Sequence, residues 1–139
     1  MNFLDQGEIK KGPKNIVLCI DGTGDWAGTN STNVIEIFER CDRENQRVFY
    51  TGGVGTLANA TALSKSRRMF LKLLDLAVAT GLRDNVLQAY DYLVEEYEPG
   101  DRIYLFGFSR GAFACRLVAA VIHRFGILRR EHKNLSPYV

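Results

Sequence analysis

Five residues constrain this chain more than any others: Gly107-Phe108-Ser109-Arg110-Gly111. They follow the apolar run Ile103-Tyr104-Leu105-Phe106 without a spacer and lead into a stretch of small apolar residues, Ala112 to Ile122. A strand that passes straight into a helix needs a tight turn, and a tight turn leaves no room for bulky side chains beside its apex. In that setting Gly-x-Ser-x-Gly predicts a nucleophile elbow, whose strained turn lifts a serine hydroxyl above the top of a sheet. The alternative is a strand-to-helix turn that merely needs glycines. As an elbow it makes Ser109 the nucleophile and sets the Arg110 backbone N–H at a helix N-terminus, where a developing oxyanion binds.

The rest of the chain supplies the sheet such a turn requires. Asn15 to Ile20 is a continuous apolar run ending at Asp21-Gly22-Thr23-Gly24, the pattern of a strand buried in a parallel sheet. Residues 25–33 read as loop. Thr32 or Asn33 caps a helix running to Arg40, with Val34, Ile37 and Phe38 on one face. Arg47 to Thr51 is a second strand, stopped by Gly52-Gly53-Val54-Gly55. Met69, Phe70, Leu73, Leu74, Ala77 and Val78 follow helical spacing up to Gly81. Val86, Tyr90, Leu93 and Tyr97 form a further amphipathic helix, ended by Pro99-Gly100. Arg102 to Phe106 is a third strand, and a helix from Arg110 to Phe125 is closed by Gly126. Strands alternating with helices predict an α/β fold: a three-layer arrangement around a parallel sheet. Ligands bind at the carboxyl ends of such strands. Segments 21–24, 52–55 and 107–111 are therefore expected on one rim, with strands 15–20 and 102–107 adjacent or nearly so.

Composition excludes several functions. The 139 residues suit one domain, here a polar segment 1–13 followed by the domain 14–139. A net charge of +2 gives no single-sign field, so no nucleic-acid partner is expected. Three cysteines without a CxxC pair, and two histidines, read as reduced thiols without a metal site. No cofactor is expected. The amino-terminal segment holds no apolar leader, and the longest apolar stretch is far short of the ~20 residues of a membrane span. The expectation is a soluble, cytoplasmic chain, with secretion by a signal-independent route left open. Lys65, Arg67, Arg68 and Lys72 beside large apolar groups read as core with a solvated cationic edge, or as a peripheral membrane contact.

In an elbow enzyme the loop after the first strand supplies the second oxyanion N–H, here from Gly22, Thr23 or Gly24. Asp21 is either an active-site rim residue or a cap for the turn. Gly22-x-Gly24-x-x-Ala27 loosely matches a dinucleotide fingerprint, but Trp26 and the polar stretch to Ser31 delay the helix that a pyrophosphate needs. Cys19-Ile20-Asp21-Gly22-Thr23 is similar to the nucleophile segment of haloacid dehalogenase phosphatases, with a cysteine where the aspartate belongs. After Ser109 there is no aspartate, one glutamate (Glu131), and the histidines His123 and His132. His123 lies about 20 Å from Ser109 along the helix at ~1.5 Å per residue, and His132 follows Glu131 too closely. No complete triad is expected among these residues.

The chain resembles a known family, the α/β-hydrolase domain of type VI secretion phospholipase effectors of the Tle1 kind. The resemblance rests on Ile20-Asp21-Gly22-Thr23, Thr32-Asn33-Val34, Tyr50-Thr51-Gly52-Gly53-Val54-Gly55-Thr56, Gly81-Leu82 and Tyr90. It continues through Tyr97-x-Pro99-Gly100-Asp101, Gly107-Phe108-Ser109-Arg110-Gly111-Ala112, Arg116 and Gly126-Ile127-Leu128, and so covers roughly residues 14–139. It implies an α/β-hydrolase fold, a phospholipid-like or other acyl-ester substrate, and Ser109 as the nucleophile of a Ser-Asp-His triad. The family's acid and base lie further along, so the chain is expected to match the N-terminal half of such a domain. Two readings follow. One is a serine ester hydrolase, the chain being a fragment, a truncated product, or one part completed by another polypeptide, with a dimer or aggregation expected where a sheet edge is left bare. The other is a catalytically incomplete remnant or interaction module.

Overall fold

The computed structural model describes residues 12–22, 32–52 and 81–139. The expected helix ending at Gly81, the cationic stripe from Lys65 to Lys72, Thr23, Gly24 and the rim segment 53–55 lie outside the described residues. Within them the order is β1 (Asn15–Ile20), α1 (Asn33–Arg40), β2 (Gln46–Thr51), α2 (Leu82–Glu96), β3 (Arg102–Gly107) and α3 (Arg110–Phe125), then a 3-10 segment, Arg130–Tyr138. The three strands form one parallel sheet in the order β2-β1-β3, so the chain has an α/β fold with the first and third strands adjacent.

β1 is the central strand. Its register aligns Asn15 with Gln46 and Arg102, and Ile20 with Thr51 and Gly107. Both of its faces are covered. Ile16, Leu18 and Ile20 pack with Ala89, Leu93, Ala114 and Val118 of α2 and α3, while Val17 and Cys19 pack with Val34 of α1. A strand buried on both sides has no use for polar alternation, which is why residues 16–20 read as an unbroken apolar run.

α1 starts where Thr32 Oγ1 accepts the Ile35 N–H at 3.2 Å, an N-cap as expected. α2 starts directly after Gly81, which holds a left-handed φ of 87°, and it ends at Glu96, before Pro99. Proline disfavours helix in the residue ahead of it, so the chain leaves the helix early and turns at Gly100. The buried Tyr90 hydroxyl donates to Gly126 O at 3.0 Å and accepts from Leu128 N at 3.2 Å, which fixes the exit from α3 against α2. The 3-10 segment carries no apolar periodicity. It is held by Lys133 and Arg130 on Glu95 and by the buried Ser136, whose hydroxyl donates to Lys133 O.

The amino ends of β1 and β3 are tied by one charged pair. Lys14 N and Nζ donate to the Asp101 carboxylate at 2.9 and 2.6 Å, and Glu98 N donates to it at 2.9 Å. Burial alone would raise the Asp101 carboxyl; the hydrogen bonds from Lys14 and Glu98 outweigh it and hold the group below its ordinary value. A carboxyl depressed on folding contributes stability above its unfolded pKa of ~3.9 and loses it as pH falls through the folded value. Asp101→Asn is expected to cost about 2 kcal/mol at pH 7. The same urea titration at pH 3 should show a smaller difference between the two proteins.

Candidate active site

The carboxyl ends of β1 and β3 meet at two turns. β3 passes through Phe108, whose N–H donates to Ile20 O at 3.3 Å, and then reverses at Ser109 into α3. Ser109 adopts φ 53° and ψ −120°, alone among the described non-glycine residues in having a positive φ. Such backbone costs about 1–3 kcal/mol and persists only where its surroundings enforce it. The enforcement is steric. A Cβ on Gly111 would stand 1.9 Å from Ile20 O, and one on Gly107 would stand 2.6 Å from Gly111 C. Both glycines of Gly-x-Ser-x-Gly therefore let the first turn of α3 press onto the end of β1.

This geometry leaves Ser109 exposed at the rim. Gly22 lies against it: a Cβ there would be 3.0 Å from Ser109 Cβ and 3.2 Å from Phe108 O. The segments 21–22 and 107–111 thus share one rim, and Thr51 joins them by accepting the Asp21 N–H at 2.9 Å. Arg110 is the first residue of α3, so its N–H has no intrahelical acceptor, and none of the described residues takes it. Its guanidinium is partly buried, with Nε and Nη2 fully covered and unpaired among the described residues. Burial pushes its pKa below the ordinary arginine value.

Asp21 lies beneath the rim. Only 3% of it is exposed, and among the described residues its carboxylate accepts from Gly22 N at 2.7 Å, Thr32 Oγ1, and Tyr50 Oη at 3.3 Å. A buried carboxylate is tolerated when charge-assisted bonds of this kind surround it. These bonds tie the end of β1 to the start of α1 and to β2. They also engage the Gly22 N–H, one of the expected oxyanion donors. Thr32 was legible as a helix cap, but its bond to Asp21 and that of Tyr50 join residues far apart in sequence, which no local pattern displays.

Neither histidine approaches the serine through the fold. His123 is exposed near the far end of α3. His132 is 3.7 Å from Glu131, in a segment anchored by Lys133 to Glu95 at the last turn of α2. The neighbouring Glu96 pairs with Arg47 near the amino end of β2, the end of the sheet opposite Ser109. Cys19, at the position of a phosphatase aspartate, is fully buried. Burial first, then the neighbouring Cys41, Cys115 and Asp21, push its thiol up to about 11, so it is no nucleophile at neutral pH. All three cysteines are free thiols. Two surface grooves, one along Lys14, Gln46 and Arg47 and one between α2, α3 and the 3-10 segment, are lined by neither Ser109 nor Asp21.

The family described as "T6SS, Phospholipase effector Tle1-like, catalytic domain" matches residues 14–139. The chain belongs to this family. An uncharacterized protein of Saccharomyces cerevisiae is 38% identical to this Tle1-like chain over 125 residues, which are 84% of the chain and 18% of the yeast protein. The chain thus spans under a fifth of the length of that relative. No solved structure gives a significant match.

The close approach of Gly111 to Ile20 is directly testable. Gly111→Ala is expected to cost about 3 kcal/mol or more, because backbone must move to admit the methyl group. Gly12→Ala, where a Cβ meets nothing within 4 Å, should stay within about 0.5 kcal/mol of the parent. Urea midpoints of the two variants check the contrast.

Proposed function

We propose that this Tle1-like chain carries the nucleophile of a serine ester hydrolase of the α/β-hydrolase class that acts on phospholipid-like acyl esters. The observation that carries the reading is the backbone of Ser109, which departs from every other described non-glycine residue and leaves the hydroxyl exposed at the carboxyl rim. In the proposed reaction a base removes the Ser109 proton as Oγ bonds to the acyl carbon, and the carbonyl electrons move onto oxygen. The Arg110 N–H donates to that oxyanion. With the Gly22 N–H engaged by Asp21, the second donor in this reading is the backbone N–H of Thr23 or Gly24. Collapse of the intermediate expels the alcohol, which takes the proton back from the base, and water then releases the acid by the same steps. Asp21 acts on the serine's surroundings by holding the turn beside it.

Because His123 and His132 both lie away from Ser109, the base is not supplied by the histidines of these residues. The observation favours a second reading, a catalytically incomplete remnant or interaction module that retains the turn. A diffusible base separates the two, since Ser109 is open to solvent. Without addition, the chain should show little serine-dependent turnover of p-nitrophenyl butyrate. Added imidazole should raise hydrolysis well above imidazole alone, with a butyryl adduct on Ser109, and Ser109→Ala should abolish the excess. Equal rates for the parent and Ser109→Ala under all conditions would favour the remnant.

A further inference from the structure

Tyr50 is no neighbour of Ser109 in the sheet. Its register partner on β1 is Cys19, and the partner of Cys19 on β3 is Phe106. At about 4.8 Å between adjacent strands, the Tyr50 backbone lies roughly 10 Å from β3. A chain of contacts nevertheless joins the two. Tyr50 Oη donates to Asp21 Oδ2 at 3.3 Å, and Thr32 Oγ1 donates to the same oxygen. The other carboxylate oxygen, Oδ1, accepts the Gly22 N–H at 2.7 Å. Gly22 packs directly on the serine: a Cβ there would stand 3.0 Å from Ser109 Cβ and 3.2 Å from Phe108 O.

We infer that Tyr50 and Thr32 are positioning residues for Ser109. Their hydroxyls hold Asp21 Oδ2, Asp21 Oδ1 holds Gly22, and Gly22 confines the Ser109 side chain. This role rests on Ser109 being the nucleophile. A serine side chain has three staggered wells, and a misplacement of about 1 Å costs a reacting group about 10²-fold in rate. The α-carbon of Gly22 closes one side of the space around Ser109 Cβ, but only while it stays in place. Glycine has the widest backbone freedom of any residue, so Gly22 cannot hold itself there. The bond to a carboxylate that is 3% exposed supplies the missing constraint. A carboxylate is planar and rigid, so donors that fix Oδ2 also fix where Oδ1 accepts. Bonds to a charged acceptor are roughly twice as strong as neutral ones. The two donors differ in their other duties. Thr32 also caps α1 through Ile35 N at 3.2 Å. The Tyr50 ring packs on Phe38, with centroids 5.2 Å apart, a contact that phenylalanine preserves. Tyr50→Phe therefore removes the bond to Asp21 while keeping the α1 cap and the ring packing.

The test follows phosphonylation of Ser109 by a fluorophosphonate in the full chain with imidazole present, together with the Ser109 Hα–Hβ couplings, which report its rotamer. The parent is expected to react at Ser109 and to show one dominant rotamer. Tyr50→Phe should react roughly five- to tenfold more slowly, with couplings averaged over the wells. The Leu18 N–H, inside the central strand, should stay protected from exchange and so report that the variant is folded. Thr32→Val should slow the reaction similarly, and Thr32→Ser, which keeps the hydroxyl, should restore it. A purely structural role would lower the urea midpoint and leave the rate and couplings of the folded protein where they were. Parent rates and couplings in both Tyr50→Phe and Thr32→Val would overturn the inference while leaving Ser109 as the nucleophile. A parent that never reacts at Ser109 would overturn the nucleophile reading, and the positioning role with it. If Tyr50→Phe is unfolded, the Thr32 pair takes its place, with equal rates for Thr32→Val and Thr32→Ser as the overturning result.

Discussion

The α-carbon of Gly111 and the carbonyl oxygen of Ile20 are so close that a single methyl group placed there would stand 1.9 Å from the oxygen. Much of the rim follows from that contact. To bring α3 this near, the chain must leave β3 and turn into the helix within two residues, and Gly107 must also lack a side chain. The reversal falls on Ser109, whose φ of 53° is the conformational consequence. The same turn fixes two further features together: a side chain at the apex that faces solvent, and a helix-start N–H at Arg110 with no internal acceptor. Strain is stored at one residue and offset by the packing of Ala114, Cys115 and Val118 against β1.

A buried charge organises the other half of the rim. Asp21 binds Gly22 N, Thr32 Oγ1 and Tyr50 Oη, and so couples the end of β1 to the start of α1 and to β2. The Thr32 hydroxyl serves twice, donating to Asp21 while accepting from Ile35 N. Gly22 is therefore held from beneath, against the turn at Ser109. Positioning of this kind matters to the proposed acyl-transfer reaction, because oxyanion donors work only within about 3 Å of one oxygen.

Much of this was legible in the sequence. The apolar run 15–20, the Thr32 cap, and the Gly-spaced serine between a strand and a small-residue helix each pair local propensity with a pattern that tertiary structure preserves. What escaped reading depends on long-range partners. Nothing near Asp21 announces that Tyr50 and Thr32 will meet it, and only the sheet register brings them there. α2 starts at Leu82 rather than near Val86 because Gly81 takes a left-handed turn. The 3-10 segment, held by Glu95, has no periodicity to reveal it. β3 reads as a buried strand from its composition, and among the described residues β1 pairs with one of its edges; an apolar run records what a strand can pack against and not which neighbours are present.

The central claim is that the forced turn at Ser109 presents a nucleophile. It is tested most directly by treating the folded chain with a fluorophosphonate in the presence of imidazole and mapping the adduct by peptide mass spectrometry. The account predicts phosphonylation at Ser109 in preference to Ser136 and the remaining serines, at a rate that rises with imidazole. An adduct at another serine, or a folded chain that stays unmodified at every imidazole concentration, would contradict it.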